Sequence, residues 1–448
     1  MSRAPDSETR RTWPQSLPFY YGWVNVVIAA IAMTATLPSR THGLGLITEP
    51  LLADLQMSKM MFTSINFFSC VIGAVFSLPA GYLIDRYGVR LVLTGVSACF
   101  GLSILAMADI GGPTQQFLTV GMARVFQLSD AQIAETIGPA SLFLTLTLIR
   151  GFGQCALSIV SIALVGKWFN RRMGLAMGIY TILMSIGFIF TTVGTGELVI
   201  ALGWRPVWSG CGLFLLCILA PFGWLLVRST PEACGLAGDD KVGPNASATK
   251  NAIDYTYQQA LCTTAFWVFA CGTSMFNFVW SANTLLNESI LAEQGFPKSV
   301  SPISMGLLVP GGLIANYLCG MYIKRSNLGV VLGGGLLLLS LNLTLFPHIH
   351  ELWQLYLYSS FTGVIGGIVT VAHFAAWRVL YGASHLGRIQ GPAQLLSVLF
   401  SAAGPLFAAY CHTATKSYRL GFYSMSAMVC VLAIAAFVVP IPPERRAE

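Results

Sequence analysis

Charge is what this sequence has least of. Only 10% of its 448 residues are Asp, Glu, Lys or Arg, against about 25% in soluble domains. A chain so poor in charge cannot cover a water-soluble surface. The 11 cysteines include no C-x-x-C pair, and most lie inside apolar runs (Cys70, Cys99, Cys155, Cys211, Cys217, Cys271, Cys319, Cys430). They read as small buried hydrophobes, neither disulfides nor metal ligands. No His/Cys/Asp/Glu group has metal spacing, and no G-x-S-x-G or phosphate loop occurs. An enzyme is therefore not expected, and neither a metal nor a cofactor is implied. The net charge of +7 reports basic loops between apolar segments, so no nucleic-acid partner is expected. Nor is a cleavable leader: residues 1–18 are polar, and the apolar run after them is too long for one.

What fills the chain is hydrocarbon. Hydrophobic residues make up 55% of it, and the mean hydropathy is +0.69. The apolar runs are near membrane-spanning length and do not alternate, so they predict helices crossing a lipid bilayer. About twelve are counted: 21–47, 61–82, 91–108, 140–165, 174–197, 206–227, 263–288, 300–323, 328–346, 352–380, 390–411 and 419–440. With the N-terminus cytoplasmic, seventeen of the 25 Lys and Arg fall on the cytoplasmic side and six on the other. Both termini are therefore placed in the cytoplasm of a cell that carries the protein in its inner or plasma membrane.

The long polar stretch from Ser229 to Asp254 divides the helices six and six. The expected layout is a tail over 1–20, a six-helix bundle over 21–228, a linker over 229–262, a second bundle over 263–440 and a tail over 441–448. The halves repeat. Gly81-Tyr-Leu-Ile-Asp85-Arg86 matches Gly320-Met-Tyr-Ile-Lys324-Arg325 at a spacing of 239 residues. Gly174-Leu-Ala-Met-Gly178 matches Gly387-Arg-Ile-Gln-Gly391 at 213. An extracytoplasmic insertion over 109–139 accounts for the difference, and two parallel six-helix halves explain both matches. Within the insertion, Ser129-Asp-Ala-Gln132 has a capping-box pattern that predicts a short packing helix.

Gly81-Tyr-Leu-Ile-Asp85-Arg86-Tyr-Gly88-Val-Arg90 separates the second and third runs. Gly81 allows two helices to approach, Gly88 allows a sharp turn, and Arg86 and Arg90 fix the turn to one side of the bilayer. This stretch resembles the G-x-L-x-D-R-x-G-x-R loop of the major facilitator superfamily. Further matches are Lys167-Trp-Phe-Asn-Arg171-Arg172-Met-Gly174, Trp204-Arg205, Pro231-Glu-Ala-Cys-Gly235, Tyr381-Gly-Ala-Ser-His-Leu-Gly387 and Gly404-Pro405. Together they are similar to the branch that includes oxalate:formate antiporters and monocarboxylate transporters. The resemblance implies an all-α membrane fold of two pseudo-symmetric six-helix bundles and transport by alternating access. It also implies that Asp85 faces the N-terminus of helix eleven near Gly391 as a latch, with Gly81, Arg86, Gly88 and Arg90 framing it. The second-half copy has Lys324 at the acid's position, so the latch is expected on one side only.

Arg150 lies midway along helix four, where an unpaired guanidinium costs at least about 2.5 kcal/mol. Arg150, Gln154, Ser158 and Ser161 follow helical spacing. Two readings are open for Arg150: a cavity cation for an anionic substrate, or a structural arginine held by backbone carbonyls. Pro38 predicts a break in helix one, just before Arg40, and Arg40 resembles a basic residue that monocarboxylate transporters place there, one position displaced. It either meets substrate or snorkels. Thr273, Asn277, Ser281, Thr284 and Glu288 form a polar face on helix seven, and His373 lies on helix ten. Glu288 and His373 are candidates to carry a proton; the other readings are that Glu288 lies in the outer headgroup region and that His373, as a lone histidine on an apolar helix more often is, is a hydrogen-bonded structural residue. Helix eight has no charge, only Asn316, and helix eleven has Gln394 and Ser397 but no lysine. Both departures from the carboxylate-carrying relatives argue against a dicarboxylate.

The expected function is a monomeric secondary transporter of a small solute, best described as a monocarboxylate or other small organic anion. It would work by proton symport or exchange, with Arg40 and Arg150 attracting the anion and Gln154, Asn277, Ser281 and Gln394 orienting it. The alternatives are an exporter of amphiphilic compounds and a receptor of the same fold that binds solute without moving it.

Overall fold

The computed structural model describes residues 20–110, 112, 130–234, 236, 255–297 and 300–443, and among them every regular element is a helix. The side chains of residues 59, 60, 130–137, 288 and 302 are not among those described. Most of the two tails, the loop before residue 130 and the middle of the linker also lie outside the described residues.

Twelve helical units follow the apolar runs. In the first half they are α1 (Gly22–Thr34), α2 (Lys59–Ala74 and Ser77–Tyr87), α3 (Val89–Ala108), α4 (Asp130–Ile149, Arg150–Leu157 and Ser158–Trp168), α5 (Met173–Leu202) and α6 (Trp204–Leu213, Phe214–Leu219 and Ala220–Leu226). The second half has α7 (Thr264–Leu285), α8 (Val300–Tyr322), α9 (Leu328–Leu345), α10 (Leu352–Tyr381), α11 (Leu386–Thr415) and α12 (Arg419–Val438). Ten of them are long and apolar enough to cross a membrane. The other two are α1, which is cut short, and α7, whose Thr273, Ser274, Asn277, Ser281 and Asn283 lower its hydropathy.

The break in α1 falls where Pro38 predicts it. The helix ends at Thr34, a 3-10 turn runs over Leu37–Ser39, Arg40 is extended (φ −92°, ψ 153°), and helix resumes over Thr41–Gly45. Pro38 has no N–H to give and its ring crowds the preceding turn. A second interruption, at Val75 and Phe76 in α2, has the same cause: Pro79 stands four residues beyond the Val75 carbonyl. One expectation needs correcting. Ser129-Asp-Ala-Gln132 does not open a separate packing helix, because the helix from Asp130 runs on through Pro139 to Ile149. Asp130 and the residues after it belong to α4 itself, which is described from ten residues before the predicted boundary, and Ser129 lies outside the described residues.

The halves meet along two pairs of helices, α2 with α11 and α5 with α8. Both contacts need glycine. A Cβ on Gly81 would strike the Gly387 carbonyl and one on Gly387 the Gly81 carbonyl; Gly174 and Gly320 stand in the same relation, and a Cβ on Gly178 would meet the Asn316 carbonyl. These crossings lie toward the end of the molecule that carries Arg86, Arg90, Lys167 and Arg388, called the basic end below. There Asp85 accepts hydrogen bonds from the backbone amides of Gly387 (3.0 Å) and Arg388 (2.8 Å), in the first turn of α11. The helix dipole favours a carboxylate at that place. Lys167 lies 3.5 Å from the same carboxylate, which is 4% exposed, and the Arg388 guanidinium covers the Tyr82 ring at 4.6 Å. Gly88 makes the turn into α3 with φ +82°. Arg90 then binds the Trp224 carbonyl at 2.6 Å, and Arg86 stays outside, on the Tyr82 hydroxyl. The second-half copy is built otherwise. Arg325 donates to the carbonyls of Val379, Leu380 and Pro442 within its own half, and the exposed Lys324 offers no acid to α5.

At the opposite end each half carries a matching brace. The short helix Thr48–Leu55 follows α1, and its Asp54 Oδ2 accepts from Trp204 Nε1 (2.7 Å) and Arg205 Nε (3.2 Å) at the start of α6. After α7, the short helix Asn287–Glu293 ends in Glu293, which accepts from Ser417 Oγ (2.5 Å) and the Tyr418 amide (2.9 Å) at the start of α12. Asp54 and Glu293 stand 239 residues apart, the spacing of the Gly81 and Gly320 repeat.

Asp85→Asn should loosen the α2–α11 contact. It removes a charge-assisted acceptor from two buried amides, an effect of about 1–3 kcal/mol. Hydrogen exchange at Gly387 and Arg388 is expected to quicken about tenfold or more, while Lys324→Gln leaves exchange at the start of α5 unchanged. Equal protection in Asp85→Asn and the parent protein would show that the carboxylate does not hold the contact.

Candidate functional site

The break in α1 strips carbonyls of their helical partners in the middle of the molecule, and in hydrocarbon each must find a donor. Arg150 supplies one. Its stretch of α4 is π-helical over Arg150–Leu157, a wide turn frequent at functional sites. From there Nη1 donates to the Ser39 carbonyl (2.8 Å) and to Gln154 Oε1 (2.9 Å), and Nη2 to Asn66 Oδ1 (2.6 Å) on α2. The side chain is 1% exposed. Arg150 therefore knots α1, α2 and α4 together behind the site, and Gln154 is tied up with it.

Arg40 emerges from the same break on the other side. It lines a cavity of about 180 Å³ enclosed by both halves, with α1, α4 and α5 facing α7, α10 and α11. Its Nη2 donates to Ser158 Oγ (2.7 Å) and lies 3.1 Å from Met33 Sδ, and Nε donates to Thr36 Oγ1 (3.1 Å). The Phe188 ring centroid is 6.0 Å from the guanidinium. No Asp or Glu lines the cavity, and Arg40 has no ion-pair partner among the described residues. Among the described residues, then, the guanidinium is held in place by neutral groups alone.

The second half faces it with uncharged polar groups. Asn277 Nδ2 donates to Ser397 Oγ (2.8 Å) and to the Thr273 carbonyl (3.3 Å). His373 Nδ1 shares a 3.0 Å hydrogen bond with Thr273 Oγ1. Gln394 and Thr370 complete this face, and Met33, Ile162, Met184, Phe188, Phe276, Val369 and Phe374 form apolar walls. Toward the basic end Tyr180 closes the floor. Its hydroxyl bonds Ser161 Oγ (2.6 Å) and its ring meets Phe374 across the halves at 5.5 Å. Beyond that floor lie the glycine crossings and Asp85.

Of the residues singled out from the sequence, the structure brings Arg40, Asn277, Gln394 and His373 together around this cavity. It sets Arg150 and Gln154 one layer behind and leaves Ser281 off the lining. A π-helical turn carries an i→i+5 register, so the face deduced from α-helical spacing does not continue through residues 150–158. The side chain of Glu288 lies outside the described residues. His42 and Thr370 line the cavity without having been anticipated. His42 follows Arg40 by two residues past the break, and that proximity was the available signal. A larger groove of about 650 Å³ lies between α1, α5 and α6, but it holds no charged residue and its lining includes the exposed Ile31, Leu198 and Leu202. It is part of the apolar outer surface.

The sequence model of the Major Facilitator Superfamily matches residues 22–357. Among solved structures, the human organic anion transporter MFSD10 (TETRAN) shares 14% identity over 94% of this chain and 97% of its own, with a TM-score of 0.61. FucP, a transporter of the same superfamily in its outward conformation, shares 11% identity over 93% and 98%, with a TM-score of 0.64. Identities this low speak to the fold alone. No curated protein sequence matches significantly.

Arg150→Met should destabilise the protein by about 2–4 kcal/mol, because the Ser39 carbonyl and the Asn66 amide lose a buried partner. The measurement is thermal unfolding of the purified protein in detergent. A melting temperature equal to that of the parent would mean that the knot behind the cavity is dispensable.

Proposed function

The chain belongs to the Major Facilitator Superfamily, and on that premise we propose that it is a secondary active transporter of a small organic anion, a monocarboxylate in the simplest case. One observation carries the reading: Arg40 presents to a central cavity a guanidinium that has neither an ion-pair partner nor an acidic residue in the lining among the described residues. A buried cation without a partner is costly, and an anionic solute supplies the missing charge. The volume of about 180 Å³ suits a solute of a few heavy atoms, given the roughly 30 Å³ that each water occupies in the liquid. A single arginine and apolar walls favour one carboxylate with a short apolar body over a dicarboxylate.

In this reading Asn277 and Gln394 orient the solute from the second half, and Arg150 positions Arg40 by fixing the broken α1. Rocking of the two halves would expose the cavity to either side in turn. With the basic end placed in the cytoplasm by its Lys and Arg, the closed floor at Tyr180 and Phe374 and the latch at Asp85 describe a conformer shut on the cytoplasmic side. Proton symport or exchange would drive the cycle, with His373 and Glu288 the candidates to carry a proton. The absence of acid from the cavity weighs against an exporter of cationic amphiphiles.

Counterflow exchange in proteoliposomes tests the reading, with acetate, propanoate, oxalate and an uncharged sugar as solutes. Exchange of the monocarboxylates is expected, and Arg40→Gln should lower it about tenfold to a hundredfold, the effect of losing a charged hydrogen bond of about 1.5–3 kcal/mol. Wild-type exchange in Arg40→Gln would remove anion binding from the site. Binding without exchange would favour a receptor.

A further inference from the structure

The amide of Asn277 is held in one orientation. Its Nδ2 sits 3.3 Å from the Thr273 carbonyl, one turn back on α7, and 2.8 Å from Ser397 Oγ on α11. A backbone carbonyl only accepts hydrogen bonds, so the atom facing it must be the NH2 group and not the oxygen. Both donors of the amide are thereby engaged, and the half-buried Asn277 lines the cavity with Oδ1 accepting no hydrogen bond from the described residues. The residue therefore offers the solute an acceptor and nothing else.

From this we infer that Asn277 selects a hydrogen-bond donor on the carried anion, and that the substrate class is the hydroxylated monocarboxylates. The inference rests on the reading of Arg40 as the carboxylate's partner. A hydroxyl donates to Oδ1. A keto oxygen or a second carboxylate can only accept, and would set oxygen against oxygen. An ammonium group also donates, but it would enter a cavity that already holds Arg40 and, among the described residues, has no acid to balance a second cation. An unsubstituted carboxylate leaves Oδ1 facing hydrocarbon, an unfavourable outcome for a polar group shielded from water. Sites built to bind a hydroxyl reject analogues that lack one far more strongly than apolar pockets reject a misplaced methylene.

The test uses the full-length protein in proteoliposomes, with radiolabelled propanoate as the exchanging solute and unlabelled propanoate, 2-hydroxypropanoate and 2-oxopropanoate as competitors. In the parent protein 2-hydroxypropanoate should compete at a concentration about tenfold or more below propanoate, and 2-oxopropanoate should compete no better than propanoate. Asn277→Leu, close to isosteric but without the acceptor, should bring the three to within about threefold of one another. If the parent protein treats the three compounds alike, or prefers 2-oxopropanoate, the inference is overturned while anion transport stands. If Asn277→Leu keeps the hydroxyl preference, the selecting group is another one and the assignment to Asn277 fails. Should none of the three be exchanged or compete, the reading of Arg40 fails first and the inference with it. The comparison within the parent protein decides the matter even if the variant does not fold.

Discussion

A proline in the middle of a membrane helix leaves backbone groups without partners, and hydrocarbon offers no water to replace them. The hydrogen bond from Arg150 to the Ser39 carbonyl answers that constraint, and much of the first half is arranged around it. The π-helical stretch of α4 brings Arg150 to the break, Gln154 and Asn66 take up its remaining donors, and α1, α2 and α4 are fixed to one another at that point. Because the break is held from behind, the extended backbone at Arg40 can turn its side chain toward the other half. The two arginines thus differ in a way that sequence reading left open. Arg150 is taken up by the protein's own groups, and in the proposed function Arg40 is the one that meets the solute.

The two faces of the cavity differ in kind. The first half contributes a fixed charge on a broken helix, and the second contributes neutral amides and hydroxyls on α7, α10 and α11 that are bonded mainly to each other. Such a division suits a molecule whose halves separate and rejoin. Contact between a charge and neutral dipoles leaves no strong ion pair to be broken at each turn of the cycle, whereas an acid opposite Arg40 would clamp the halves whether or not solute was bound. The strong polar contact between the halves lies elsewhere, at Asp85, where a carboxylate meets the open end of α11.

The fold was legible because it is written in long-range composition: runs of apolar residues of spanning length, basic loops on one side, and a repeat at two spacings. The position of the break was legible from Pro38, and the contact of Asp85 with α11 was implied by the resemblance of its loop. Arg40, Asn277, Gln394 and His373 were singled out as polar residues on apolar helices, and the structure gathers them around one cavity. What was not legible depended on backbone geometry that sequence spacing does not encode. Nothing in Arg150-Gly-Phe-Gly-Gln154 says that the turn is π-helical, so the direction of Arg150 could not be deduced. Ser129-Asp-Ala-Gln132 predicted a short separate helix, and nothing in the pattern says that the helix described from Asp130 passes straight through Pro139.

The acid braces at Asp54 and Glu293 bear on which contacts a movement between the halves would disturb. Each puts a carboxylate at the same place in the repeat and holds the start of the last helix of its own half. At the other end the copies differ, one with Asp85 and the other with Lys324. A brace inside one half travels with it when that half turns, whereas the Asp85 contact spans the halves and has to break before α2 and α11 can part.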